Sequence, residues 1–419
     1  MASENAPLVH LPQGAFRGES RGGVNIFRGL PYARSTRFGA PTAAAFHEGV
    51  RPAVVRGPIC PQNPSRLTMI MGPIPSEHPM SEDCQNVSIF SPNLAGHRAV
   101  MVWFHGGAYV SGGGDISWYD ADKLAIEGDV VVVTVTYRLG AFGFLCPPEG
   151  KGVINAGLLD QIAALEWVQK NIDHFGGDSD NITLFGQSAG GHAIVQLLDL
   201  VPSLFHRAII QSAPFAIQNT KSQAQEVYQS FTDALGVDPI AATVEQILQA
   251  QGVVMSTSSL HLPFSPVVSN TCKTSPHTER THNILMGWTK HDSGPFIIMR
   301  RGNNPNGYGS ILDRILTVIM TSLHFARPAR RFASCLQNAG GVAGFYTISW
   351  CPQGSNFGAP HCIELPLLLG DQQAWQQSPM LGRALWAEVE ERGRNIRLAW
   401  AAFARDGELP AKQGVYNIV

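Results

Sequence analysis

Short unbroken apolar runs alternate with amphipathic stretches through most of this chain. AVMVWFH (residues 99–105) and VVVVTVTYR (130–138) are rich in β-branched and aromatic residues and carry few polar ones. A strand buried on both faces has this composition, because both of its sides must be apolar. NITLF (181–185), RAIIQSA (207–213), NILMGW (283–288) and GFYTISW (344–350) repeat the pattern more briefly. Between the runs the apolar spacing changes. In AGLLDQIAALEWVQKNI (156–172), Leu158, Leu159, Ile162, Leu165 and Val168 fall on one helical face. HAIVQLLDL (192–200) reads as a second helix. Residues 380–405 read as a closing helix pair or a bent helix, interrupted near Gly393. The proline-rich stretch 57–79 reads as a long surface loop. Strands alternating with helices predict an α/β protein built on a central, largely parallel sheet.

Composition agrees. The 419 residues are 44% hydrophobic and 15% charged, enough to bury a sizeable core and too apolar for disorder. A net charge of -2 gives no electrostatic reason to expect nucleic acid or a membrane surface as partner. The longest apolar runs are too short to span a bilayer. The first residues lack the basic start and long apolar core of a signal peptide, so a cytoplasmic location is expected. Seven scattered cysteines, an odd number with no C-x-x-C, argue against a zinc site or a disulfide framework. In that setting the NVS at Asn86 and the NIT at Asn181 are chance matches to the glycosylation pattern.

The candidate chemistry sits in FGQSAGG (185–191). Ser188 falls where the 181–185 strand gives way to the 192–200 helix. A serine on so tight a turn needs small neighbours two residues away, and Gly186 and Gly190 supply them. The helix that follows aims its N-terminal amides at the reacting atoms. Acyl transfer also needs donors for the oxyanion, and the glycine-rich FHGGAYVSGGG (104–114) follows an earlier strand, as an HGGG-type loop does.

Together these blocks resemble the type-B carboxylesterase (cholinesterase-like, para-nitrobenzyl esterase-like) family of α/β-hydrolases. The resemblance runs through FRGLPYA (27–33), SEDC (81–84), VWFHGGAYVSG (102–112), TYRLGAFGFL (136–145), NAGLLDQIAALEWVQKNIDHFGGD (155–178) and ITLFGQSAGG (182–191). It thins to FSPVVSN (264–270), MGWTKHDSGPF (286–296) and GAPHCIELPLLLG (358–370). The family implies one α/β-hydrolase domain over residues 1–419. The chain is shorter than usual for the family, which implies a reduced helical cap, with insertions within 214–283 and 297–340.

The resemblance also implies roles. Ser188 matches the nucleophile and His361 the general base. Asp292 stands where the family usually has a glutamate, in His-Asp-Ser-Gly instead of Asp-Glu-Gly, with Asp313 or Glu279 as alternatives for the acid. The oxyanion amides map onto Gly107, Ala108 and Ala189. Ala108 replaces a third glycine, a loop type that suggests bulky or tertiary-alcohol esters. Ser212 matches a serine that hydrogen-bonds the acid. Arg138 with Asp178, and Arg37 with Glu82, match buried ion pairs. Cys60 and Cys84 match a disulfide of secreted relatives and are expected as free thiols in a reducing compartment. Tyr109, Leu260 and Phe296 are the candidate pocket residues. The implied activity is cofactor-free and metal-free hydrolysis of a small-molecule ester through an acyl-enzyme. An amidase or carbamate hydrolase with the same triad is one rival, and a non-catalytic binding protein on the same fold is another.

Overall fold

The structure, a computed structural model, describes residues 6–75, 78–260, 262–267, 282–302, 308, 310–408 and 415–417. Glu279, Cys272 and part of 264–270 lie outside them. A ten-stranded sheet organises the molecule. Its strands are β1 (Glu19–Arg21), β2 (Val24–Pro31), β3 (Asn86–Ser91), β4 (Arg98–Phe104), β5 (Val131–Val135), β6 (Gly177–Gln187), β7 (Arg207–Gln211), β8 (Asn283–Thr289), β9 (Val342–Ile348) and β10 (Val415–Asn417). Their spatial order is β10-β9-β8-β7-β6-β4-β5-β3-β2-β1. From β10 to β5 every neighbouring pair is parallel. The β3, β2 and β1 edge runs antiparallel.

Pleating explains why the central strands carry so few polar residues. Val100, Val102 and Phe104 of β4 enter one core with Ile182 and Leu184 of β6. Met101 and Trp103 enter the other with Phe185. The first face is covered by α1 (Ala156–Asn171) and α2 (Ala189–Leu200), through Leu158, Leu165, Val168, Ile194 and Leu197. The second is covered by a long C-terminal helix, Trp386–Asp406, through Val389, Ile396, Trp400 and Phe403. Trp103 and Trp400 are fully buried, and each such side chain contributes about 2–3 kcal/mol of transfer free energy.

Further helices fill the long connections: α3 (Lys221–Leu235) and α4 (Val244–Thr257) between β7 and β8, then α5 (Gly294–Arg300), α6 (Ile311–Thr321) and α7 (Arg327–Asn338) between β8 and β9. Thr220 and Thr243 each accept from the backbone amide three residues on, and the glutamine there reaches back to the cap, so α3 and α4 both begin with a capping box. The C-terminal helix takes the label α8.

Several expectations are corrected. The strand at 130–138 stops at Val135, after which the chain turns toward the site. Helix α8 runs unbroken through Gly393, where a Cβ would lie 2.4 Å from Leu367 O. That glycine permits close packing and does not interrupt the helix. The 57–79 stretch is not simply a surface loop, since Ile59, Cys60, Gln62 and Ile70 are buried. Arg138 pairs with Asp160, not Asp178. Its Nε and Nη2 reach the two carboxylate oxygens at 2.7 Å, with both groups buried. Removing one partner of such a buried pair costs about 3–5 kcal/mol. Asp178 instead lies near the exposed His97, at 3.7 Å. Arg37 does pair with Glu82, Nε donating to Oε2 at 2.8 Å, but both are partly exposed. Cys60 and Cys84 are buried free thiols.

Candidate active site

The C-terminal ends of β6, β7 and β8 and the loops after β4 and β9 converge on one place. In an open parallel sheet the carboxyl ends of the strands are where ligands bind. Ser188 sits between β6 and α2 with φ 57° and ψ -122°, in the left-handed region. Its amide donates to Gln211 O at 2.8 Å. The turn is as crowded as the sequence suggests. A Cβ on Gly190 would stand 1.9 Å from Phe104 O, and one on Gly186 would stand 2.8 Å from the Gly190 carbonyl carbon.

Ala108, Tyr109, Ser212 and Cys362 share the positive φ of Ser188. Such backbone costs on the order of 1–3 kcal/mol per residue and collects at functional sites. Ala108 and Tyr109 belong to the glycine-rich loop. Their neighbour Gly107 has φ 113°, and a Cβ there would stand 1.9 Å from Ser111 O. The loop is held from below. Gln62 donates to Gly112 O at 2.7 Å and accepts from Gly112 N at 2.6 Å. His105, stacked on Tyr137, donates from Nδ1 to Gly106 O at 2.8 Å. Burial lowers the His105 pKa to about 4, so it is neutral at pH 7. Arg28 and Arg56 share Asp115 and Asp120 beneath the end of the loop. Among the described residues, the amides of Gly107 and Ala108 donate to no protein acceptor.

Asp292 follows β8 and is fully buried. Its Oδ1 accepts from His361 Nδ1 at 2.5 Å. Its Oδ2 accepts from Ser212 Oγ at 2.7 Å and Thr289 N at 2.9 Å. Two donors thus fix the carboxylate, and the carboxylate fixes the imidazole tautomer with the proton on Nδ1. The Phe296 and Phe325 rings flank His361, with centroids at 5.2 and 5.7 Å. Asp313 is elsewhere, on α6 and paired with Arg301 at 2.7 Å. No hydrogen bond joins Ser188 to His361. Instead the Gln187 amide stands 3.1 Å from His361 Nε2 and donates to its lone pair. In unliganded sites the final hydrogen bonds often form only with substrate.

Two cavities meet at Ser188. One, about 180 Å³, is lined by Gly107, Val110, Gln251 and Met255. The other, about 470 Å³, is lined by Ile217, Leu260, Leu262, Phe325 and His361. Leu260 and Phe296 line the space as expected, but Tyr109 does not. It is buried behind the loop, its hydroxyl donating to His192 Nδ1 at 2.7 Å. The positive φ of Gly107, Ala108 and Tyr109 turns the side chain into the core. Burial also lowers the His192 pKa to about 4, leaving Nδ1 free to accept.

Three residues at the site are given no role of their own by the sequence: Gln187, the buried Glu364, which only supports the motif around His361, and Arg66. Gln187 was visible only as the variable position of G-x-S-x-G. Burial raises the Glu364 pKa to about 8, with nearby Asp292 adding to the effect. The Ser212 hydroxyl lies close enough to lower it somewhat, but its proton is committed to Asp292.

This sheet, with a strained serine at a strand-to-helix turn, defines a hydrolase of the α/β-hydrolase fold. The comparisons agree. The carboxylesterase family model matches residues 5–308. A protein of Rhodococcus erythropolis named as a probable N-octanoylanthranilate hydrolase is 39% identical, over 96% of this chain and 93% of its own. The para-nitrobenzyl esterase of Bacillus subtilis is 31% identical, over 97% and 91%. A solved PNB esterase structure superposes with a TM-score of 0.84 at 30% identity, covering 96% of this chain and 91% of that one. The chain belongs to the carboxylesterase family and is a carboxylic ester hydrolase. Among the described residues no helix is long and apolar enough to cross a membrane.

Proposed function

We propose that the protein hydrolyses carboxylic esters in two steps through an acyl-enzyme on Ser188. His361 Nε2 takes the Ser188 proton as Oγ bonds to the ester carbonyl carbon. For this the Gln187 amide must give up Nε2. The carbonyl oxygen becomes an oxyanion held by the amides of Gly107, Ala108 and Ala189. As the oxyanion collapses, the ester C–O bond breaks and His361 passes its proton to the leaving alcohol. Water then repeats the sequence on the acyl-enzyme and releases the acid. Asp292 stays ionised throughout and stabilises the imidazolium. The observation that carries this reading is the Asp292–His361 pair, held by Ser212 and Thr289, with His361 lining a cavity shared with Ser188.

The helices within 214–283 and 297–340 act as a reduced cap over that cavity, and its size suits bulky alcohol groups. A second reading has one specific support. The Rhodococcus relative is named for an N-acyl substrate, so amide hydrolysis by the same residues stands beside ester hydrolysis. p-Nitrophenyl acetate and butyrate, with the matched anilides, test both. The parent protein should cleave the esters, and Ser188→Ala should not. Equal rates in the two proteins would remove Ser188 from the mechanism. Anilide rates matching the ester rates would favour the amidase.

A further inference from the structure

We propose that Arg66 is a specificity-determining residue that pairs with a carboxylate carried by the substrate. This deepens the reading above and rests on it. Arg66, Ala108, Ser188 and Phe296 are the described residues common to both cavities, so Arg66 borders the space on either side of Ser188. Among the described residues it is the only lysine or arginine lining either space, and no aspartate or glutamate lines them. The other titratable lining residues are His324 and His361. Asp292 lies behind His361 and is engaged by it.

The surroundings leave the guanidinium unpartnered. Arg28, Arg37, Arg56, Arg98, Arg138 and Arg397 each meet a carboxylate. Arg66 meets no hydrogen-bond or ion-pair partner among the described residues. It is solvent-exposed where it borders the two cavities, and partial desolvation lowers its pKa. An unpaired guanidinium beside a cavity favours an incoming anion, and its planar fork matches a carboxylate.

The chain on either side of Arg66 is anchored. On one side, Gln62 grips Gly112, and Asn63 Nδ2 donates to Leu248 O at 3.0 Å. On the other, Ser65 Oγ accepts from Leu67 N at 3.2 Å, and Ser378 Oγ donates to Ile70 O at 3.0 Å. Only the side chain is left to adapt, so the charge is presented from a rigid base.

Two matched pairs of probes test the idea. One pair carries the carboxylate on the acyl side: the mono-4-nitrophenyl ester of glutaric acid against 4-nitrophenyl butyrate. The other carries it on the leaving group: 3-acetoxybenzoate against its methyl ester. For at least one pair, Arg66→Gln should lower the anionic-to-neutral ratio of kcat/KM about tenfold or more, mainly through KM, as loss of a charged hydrogen bond does. Arg66→Lys should restore part of the ratio, and raised salt should reduce it in the parent and in Arg66→Lys but not in Arg66→Gln. Unchanged ratios for both pairs would overturn the proposal. Hydrolysis of the neutral esters that depends on Ser188 would at the same time show the underlying mechanism intact. Absence of that hydrolysis would sink the mechanism itself.

Discussion

Glu364 gives the sharpest quantitative test. It lies fully buried, three residues from His361, and neither carboxyl oxygen has a hydrogen-bond partner among the described residues. Its pKa of about 8, against 4.5 unperturbed, means the folded protein holds a proton that the unfolded chain has lost. Between those values the native state binds more protons, so stability falls as pH rises, by about 1.4 kcal/mol per unit. The full loss by about pH 8 is on the order of 5 kcal/mol, and about 3 kcal/mol is already gone at pH 7. Below pH 4.5 this contribution vanishes. Glu364→Gln keeps the shape and cannot ionise. Urea unfolding of both proteins, followed by tryptophan fluorescence from pH 5 to 9, isolates the effect. The variant should gain on the parent steadily to about pH 8 and then hold level. The absolute offset is irrelevant, since the amide brings its own unmet donors. A difference that stays constant from pH 5 to 8 would refute the reasoning, because it would mean that Glu364 is ionised in the native state.

Two further tests bear on the site. Asp292→Asn should cut kcat by about 10³–10⁴-fold with KM little changed, because an amide facing Nδ1 favours the wrong tautomer; steady-state kinetics near those of the parent would remove Asp292 from its role. Gly190→Ala should destabilise by about 3 kcal/mol or more, since its methyl meets Phe104 O at 1.9 Å. Gly252→Ala, whose methyl meets only Asn63 at 3.8 Å, should be neutral or stabilising by up to about 1 kcal/mol, and thermal unfolding of the two would show the contrast.

What could be read in the sequence was what is local. The turn at Ser188 declares itself because its strand, glycines and helix are contiguous. His361 and Asp292 were reachable only through short motifs that resemble a family, since 69 residues separate them. Pairing across the fold was harder. Asp160 and Asp178 are both acidic positions downstream of Arg138, and only the packing of α1 against the sheet selects Asp160. Tyr109 shows a different limit. A loop with three successive positive φ angles does not alternate like a strand, so the direction of its side chain cannot be counted off. Gly393 was read as a helix breaker because a glycine signals flexibility and close contact in the same letter. Arg66 carries no motif, and Glu364 was visible only as part of the GAPHCIELP block around His361; the interest of both lies in what surrounds them.

The residues that line the cavity, Arg66, Ala108, Ser188 and His361, and Asp292 behind His361, come from five separate stretches of the chain, and parallel strands bring them together. None of those pairings can be made by a local hairpin, and contacts between distant segments are slow to form. Collapse and secondary structure can therefore precede a working centre during refolding. Turnover in this protein is a late clock: it starts only when the last crossover has docked, and it reports a finished chain.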